Sequence, residues 1–200
     1  RVVAATGYSD SLPAVERDPG RAFVESLGVP LLTPRTHEME REGYRANSGE
    51  RCYFCKAELI ETLRPLADEH GIAHVATGTN ADDAVAGFRP GIRAAAERGA
   101  VTPLLDAGLT KDDVRRASRR WGLPTWDKPA FACLSSRFPY GMRITGEGVG
   151  KVASGEELLR ELGFRQFRLR YYGDTARIEV DESSLKLFLD DGVRKKTVNG

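Results

Sequence analysis

Three short, mostly apolar runs, at residues 2–6, 30–33 and 72–77, are separated by stretches with helical periodicity. This alternation constrains the fold more than any other feature of the chain. A strand buried on both faces reads as a continuous apolar run, and parallel strands need a crossover connection between them. Strand and helix in alternation therefore predict an α/β fold on a parallel sheet. The intervening helices have recognisable starts and stops. One is expected from the Ser11–Pro13 region to about Leu27. A second, over residues 51–70, carries Phe54, Leu59, Leu63 and Leu66 on its apolar positions. A third covers residues 91–98. A fourth opens at Thr110, with Asp113 at the third helical position, and stops at Trp121 before Gly122 and Pro124. Residues 37–49 are polar and carry no clear period.

From Thr145 the pattern changes. A helix to Leu162 is followed by alternating residues over 165–172 and 176–180 with Gly173 and Asp174 between them, the signature of a β-hairpin. A short helix over 183–189 follows, so the end of the chain reads as a small α+β unit. Two hundred residues hold one domain, or one domain and a small second one. The 30 Lys and Arg balance 29 Asp and Glu, which argues against a general nucleic-acid binder. No apolar run approaches the roughly 20 residues of a membrane helix, and no basic leader precedes an apolar segment at the start. A cytoplasmic protein is expected.

Cys52, Cys55 and Cys133 are the three cysteines of the sequence. An odd, low number is no disulfide framework and points to a reducing compartment. Three also falls short of the four ligands usual for structural zinc, unless one His completes the set, and suits an iron–sulfur cluster with one open iron. Cys52 and Cys55 form a CxxC at a helix start, where the helix dipole favours thiolates. Packed, inert cysteines are the plainer alternative. Cys133 lies among small and hydroxyl residues next to Ser136 and Arg137, a loop suited to meeting an anion. Gly78, Thr79 and Asn80 follow the third strand, where α/β proteins bind ligands. Asp82 and Asp83 behind them suit either Mg²⁺ or the first turn of a helix. Arg168 and Arg170 share one face of a strand and are placed to pair with Glu179 or to grip a phosphate. His37, His70 and His74 show no metal-ligand spacing.

Several segments then occur in one order: Arg51-Cys52-Tyr53-Phe54-Cys55-Lys56, Gly78-Thr79-Asn80-Ala81-Asp82-Asp83, Arg89-Pro90-Gly91, Gly108 to Arg115, Gly122 to Pro129, and Ala132-Cys133-Leu134-Ser135-Ser136-Arg137. Together, over nearly the whole chain, they resemble the LarE family, ATP-dependent sulfur transferases of nickel-pincer cofactor synthesis. The stretch around Lys111 also resembles the wider PP-loop ATP pyrophosphatases. The resemblance implies a PP-loop domain over residues 1–128, an active-site loop over 129–144 and a C-terminal α+β substrate and oligomerisation domain over 145–200. It implies that ATP adenylates a carboxylate of a pyridinium bis-carboxylate mononucleotide and that sulfur then displaces AMP. A homo-oligomer is carried over with it.

The site residues follow from the same resemblance. Cys52, Cys55 and Cys133 hold a [4Fe–4S] cluster. Thr6, Gly78, Thr79 and Asp82 meet ATP and its Mg²⁺, and Lys111 and Lys128 meet pyrophosphate. Ser136, Arg137, Arg168, Arg170 and Glu179 form the substrate site. In other members of the family a cysteine gives up its own sulfur. That sacrificial route needs only Cys133 and leaves the CxxC without a purpose, so the cluster is the expected carrier and the sacrificial route the alternative. The Ser-Gly-Gly-x-Asp-Ser phosphate loop itself is absent from the 200 residues. The resemblance places it just before Arg1, in the natural protein. A tRNA-thiolating PP-loop enzyme and a metal- or sulfur-carrier module without ATP chemistry are the competing readings. The sulfide donor is open.

Overall fold

The computed structural model describes residues 1–129 and 131–199. Strand β1 (Ala4–Ala5) pairs in parallel with β2 (Leu31–Leu32), Ala4 opposite Leu31 and Ala5 opposite Leu32. A parallel bridge between Tyr8 and Arg35 extends the pair. Helix α1 (Arg17–Ser26) supplies the crossover. A second parallel pairing joins Ala76 to Val101. The fold is α/β with a small parallel sheet, as the alternation predicts. The strands are shorter than expected: the run over 72–77 contributes a single bridge.

The reason is open ladder edges. Ala4, Thr6 and Tyr8 donate their N–H groups to Pro30, Leu32 and Pro34, so by alternation the backbone groups of Val3, Ala5 and Gly7 point away from β2. Likewise Thr77 donates to Val101 and Val101 to Val75, which turns His74 and Ala76 the other way. Both outward edges border the same cavity of about 120 Å³, lined by Val3, Ala5, His74 and Ala76 together with Leu63 and Leu66.

Helix α3 (Arg51–Glu69) is the longest element among the described residues. Its buried face of Ala57, Ile60 and Leu63 packs on Ala94 and Ala95 of α5 (Pro90–Glu97), which opens with Pro at its first turn. Short helix α2 (Glu42–Arg45) lies on the start of α3, and a Cβ at Gly43 would come within 2.2 Å of the Phe54 ring. Two one-turn helices, α4 (Ala81–Val85) and α6 (Pro103–Asp106), are too short to leave a period in the sequence. Helix α7 (Lys111–Arg120) carries the expected capping box, with Thr110 and Asp113 exchanging bonds.

Helix α8 (Gly146–Glu161) is capped by Thr145 and lies on β3 (Phe167–Tyr171), where Gly155 lets it approach Leu169. Strand β3 runs antiparallel to β4 (Ala176–Val180), with Arg168 opposite Glu179 and Arg170 opposite Arg177. Gly173 turns the hairpin at φ 79°. The helix read over 183–189 is instead α9 (Glu182–Leu185) followed by a 3₁₀ turn, Lys186–Leu189. A further helix, α10 (Asp191–Asn199), starts where Asp190 Oδ1 accepts the Val193 N–H at 2.9 Å. Asp190 acts as its cap. The main core joins Tyr44, Leu134, Phe138, Ile144, Val149 and Val152. No helix among the described residues is long and apolar enough to cross a membrane.

Candidate functional site

The three cysteines lie on two segments around that core. Cys52 and Cys55 occupy the first turns of α3, with Cys52 exposed and Cys55 packed against the core cluster. Cys133 directly precedes a 3₁₀ turn, Leu134–Arg137. Burial pushes the Cys55 thiol up to about 12, and the nearby charges of Glu38, Cys133 and Cys52 push in the same direction. All three cysteines thus act within one electrostatic neighbourhood. A thiol raised that far is protonated at neutral pH. Alkylation of Cys55 in the metal-free protein is therefore expected to rise about tenfold per pH unit between pH 7 and 9, read by peptide mass spectrometry. A pH-independent rate would contradict this.

Among the described residues, no three Cys, His, Asp or Glu side chains gather around the position of a single metal ion. Three soft thiol donors from two segments suit a multi-iron group, whose ligand sulfurs sit on different irons. Binding such a group would have to displace the proton that burial holds on Cys55.

The Cys133 loop is held from several sides. Arg137 is buried, 2% exposed. Its Nε and Nη2 donate to Glu156 Oε1 and Oε2 at 2.7 and 3.0 Å, and its Nη1 donates to the Ala132 carbonyl at 3.0 Å and to Ser136 Oγ at 2.9 Å. Ser136 Oγ in turn donates to the Cys133 carbonyl at 2.7 Å. Arg170 donates to the Ser136 carbonyl at 3.0 Å and to Glu179 at 2.9 Å. Arg137, Ser136 and Arg170 therefore bind the protein itself, and each ties the loop to α8 or β3.

Beside the loop opens a cleft of about 550 Å³ lined by Lys128, Phe131, Arg137, Arg165, Arg168 and Glu179, among others. Arg168 faces Glu179 in register, yet the Glu179 carboxylate turns to Arg170 and Arg177. Hydrogen bonding from Arg170 holds the Glu179 carboxyl below its ordinary range, and Arg177 adds to this against a smaller opposing effect of burial. Arg165 and Arg168 make no ion pair among the described residues and leave two guanidinium groups at the cleft. Lys128 pairs with Glu16 at 2.5 Å on another side. Sequence reasoning missed Arg165, which lies inside the run read as alternating over 165–172 but two residues before β3 starts at Phe167. It also missed Glu156, one of several charged residues on α8 with nothing to mark it as inward.

Gly78, Thr79, Asp82 and Lys111 form a second group. Asn80 caps α4 by accepting the Asp82 and Asp83 N–H groups, and Asp82 Oδ2 accepts the Lys111 N–H at 2.8 Å. The Ala81 N–H donates to the Leu109 carbonyl at 2.8 Å. These bonds hold Gly78, Thr79 and Asp82 close to the start of α7, where the Lys111 side chain is exposed. Asp83 acts as a capping residue, which is the plainer of the two sequence readings. Thr6 is exposed at the carboxyl end of β1 and donates its N–H to Leu32.

No family model matches the chain. Similarity to individual proteins is extensive. An uncharacterised protein of Synechocystis, slr1717, is 44% identical over 94% of this chain and 70% of its own length. The pyridinium-3,5-bisthiocarboxylic acid mononucleotide synthase of Lactiplantibacillus plantarum is 32% identical over 94% of this chain and 68% of its own length. An uncharacterised protein of Methanocaldococcus jannaschii, MJ0830, is 31% identical over 76% of the chain.

Proposed function

The chain belongs to the LarE family, that of the pyridinium-3,5-bisthiocarboxylic acid mononucleotide synthase, and on that premise we propose that it is an ATP-dependent sulfurtransferase acting on a pyridinium carboxylate mononucleotide. The observation that carries this reading is the cleft beside the Cys133 loop, with Arg165 and Arg168 making no ion pair among the described residues. Two unpaired guanidinium groups at a concave surface suit a phosphate monoester. Lys128, held by Glu16, is placed to exchange that partner for a phosphate oxygen.

A carboxylate is a poor acyl donor, because oxide is a poor leaving group. Attack of its oxygen on the α-phosphorus of ATP releases pyrophosphate and gives an acyl adenylate. A sulfur nucleophile then attacks the acyl carbon, the bond to AMP breaks, and a thiocarboxylate remains. To Lys111, exposed at the start of α7, we assign the departing pyrophosphate. Asp82 keeps one carboxylate oxygen free of hydrogen bonds among the described residues, which suits Mg²⁺ arriving with ATP, since that ion takes one or two carboxylates beside its phosphates. Cys52, Cys55 and Cys133 would hold a [4Fe–4S] cluster, which supplies an exchangeable sulfide at its open iron when bound. Loss of sulfur from Cys133 itself is the second route, favoured by its place on a loop against the cleft. Three free thiols suit a reducing compartment.

The cavity between the two outward strand edges supports a PP-loop sheet. Ala5 and Ala76 are exposed on these edges, and a parallel strand laid between them would take up their open ladder groups on both sides. We assign that strand, with the phosphate loop after it, to a part of the natural protein outside these 200 residues.

The test is conversion of the bis-carboxylate mononucleotide to a thiocarboxylate by full-length protein with ATP and Mg²⁺, followed by mass spectrometry and AMP release. Absence of AMP under anaerobic conditions would sink the adenylation step. Arg165→Ala and Arg168→Ala are each expected to raise KM for the mononucleotide about 10- to 100-fold with a smaller change in kcat, as loss of a charged hydrogen bond implies. An unchanged KM in both would move the phosphate elsewhere.

A further inference from the structure

The reactive sulfurs are carried by the start of α3 and by a loop some eighty residues later. Two residues with no reactive group of their own join these segments. Asn47 is fully buried and has a φ of 51°, in the left-handed region that Asn tolerates better than most residues. Its Nδ2 donates to the Pro139 carbonyl at 2.7 Å and to the Met142 carbonyl at 3.0 Å. Its backbone carbonyl accepts the Gly141 N–H at 3.0 Å. Its Oδ1 accepts from Arg51 Nη1 at 2.7 Å. The same Nη1 donates to the Ser135 carbonyl at 2.9 Å, two residues beyond Cys133. Arg51 immediately precedes Cys52 and is itself 6% exposed. Tyr44 adds a bond from its hydroxyl to Ser135 Oγ at 2.6 Å.

We propose that Asn47 and Arg51 are positioning residues that hold Cys133 in register with the Cys52–Cys55 pair. One nitrogen of Arg51 bonds both the Asn47 hub and the Cys133 loop, so the helix bearing the CxxC cannot shift without breaking a buried bond to the loop. A lysine at 51 keeps the charge but ends in a flexible point donor without the planar fork. An aspartate at 47 keeps an acceptor for Arg51 and leaves the Pro139 and Met142 carbonyls without their donor. The purpose of this registration rests on the sulfur-transfer reading, but its geometry does not.

The experiment treats full-length, reduced, metal-free protein with a short homobifunctional thiol reagent and maps the products by peptide mass spectrometry. The Cys52–Cys55 link lies within one helix and serves as an internal reference. The link from Cys133 to either of them reports registration. Wild type is expected to form both. In Arg51→Lys and Asn47→Asp, the ratio of the Cys133 link to the reference is expected to fall about tenfold, the scale on which small misplacements act, at unchanged circular dichroism. A general loosening would change both links together and leave the ratio intact. Should Asn47→Asp lose its fold, Arg51→Lys alone decides. An unchanged ratio in the folded variants, or no Cys133 link in wild type, overturns the proposal. Sulfur transfer is assayed in parallel. Wild type that links its cysteines but forms no thiocarboxylate would overturn the functional reading and leave the registration standing.

Discussion

Cys133→Ala is expected to abolish thiocarboxylate formation, lowering turnover by at least about 10³-fold, or about 4 kcal/mol in the barrier. Both sulfur routes pass through this residue, as cluster ligand or as sulfur source, so the loss does not depend on which operates. The fold should survive. The bonds holding the loop at this position are accepted by the Cys133 backbone carbonyl, from Ser136 Oγ at 2.7 Å and from Arg137 Nη1 at 3.3 Å, and alanine keeps that carbonyl. Adenylation needs no sulfur, so ATP-dependent AMP formation or pyrophosphate exchange should persist in the variant. The two routes separate in wild type. A cluster gives iron and sulfide in anaerobically prepared protein and leaves the mass of Cys133 unchanged over many turnovers. A sacrificial cysteine gives one round per chain and a Cys133 peptide lighter by the elements of hydrogen sulfide. Retention of sulfur transfer in Cys133→Ala would remove this loop from the chemistry altogether.

The parts of the fold that were legible in the sequence are those set by local rules. Thr110 and Asp113 announce a helix start within four residues, and the alternation over 165–172 and 176–180 announces a hairpin, because both patterns are complete within the segment that bears them. Strand extent is different. Residues 72–77 look like a full strand, but their extent depends on a partner distant in the chain: Val75 and Thr77 share backbone bonds with Val101 alone among the described residues, and the edge at His74 and Ala76 faces a cavity. The candidate site divides in the same way. Three cysteines and an Arg–x–Arg strand stand out by residue type. Their roles in the structure do not: Arg170 is tied to Ser136 and Glu179, and Arg168 makes no ion pair among the described residues, although both lie on the same face. Asn47 sits in a polar stretch with no period, and its partners lie 92 and 95 residues away. No local pattern encodes a hub of that kind.

Arg137→Met is expected to destabilise the protein by about 3–5 kcal/mol, the usual cost of removing one member of a buried ion pair. The side chains of Arg137 and Glu156 are each only 3% exposed. With the guanidinium gone, Glu156 keeps one donor, the Leu169 N–H at 3.1 Å, and the Ala132 carbonyl loses its bond from Arg137. A buried carboxylate with half its partners either takes up a proton or draws water into the interface between α8 and the Cys133 loop, and both are costly. In Arg137→Met with Glu156→Leu the unpaired charge disappears, and the double variant should recover a large part of the loss, so that the two single effects fail to add by more than about 1 kcal/mol. Equilibrium denaturation of the four proteins gives the cycle directly. Additive losses would mean that Arg137 acts mainly through its bonds to Ala132 and Ser136, so that it braces the loop from within and its link to α8 is secondary. Sulfur transfer in the double variant then tells whether the loop needs the charge or only its anchor: recovered stability with lost activity would place the Arg137 guanidinium in contact with substrate at the wall of the cleft.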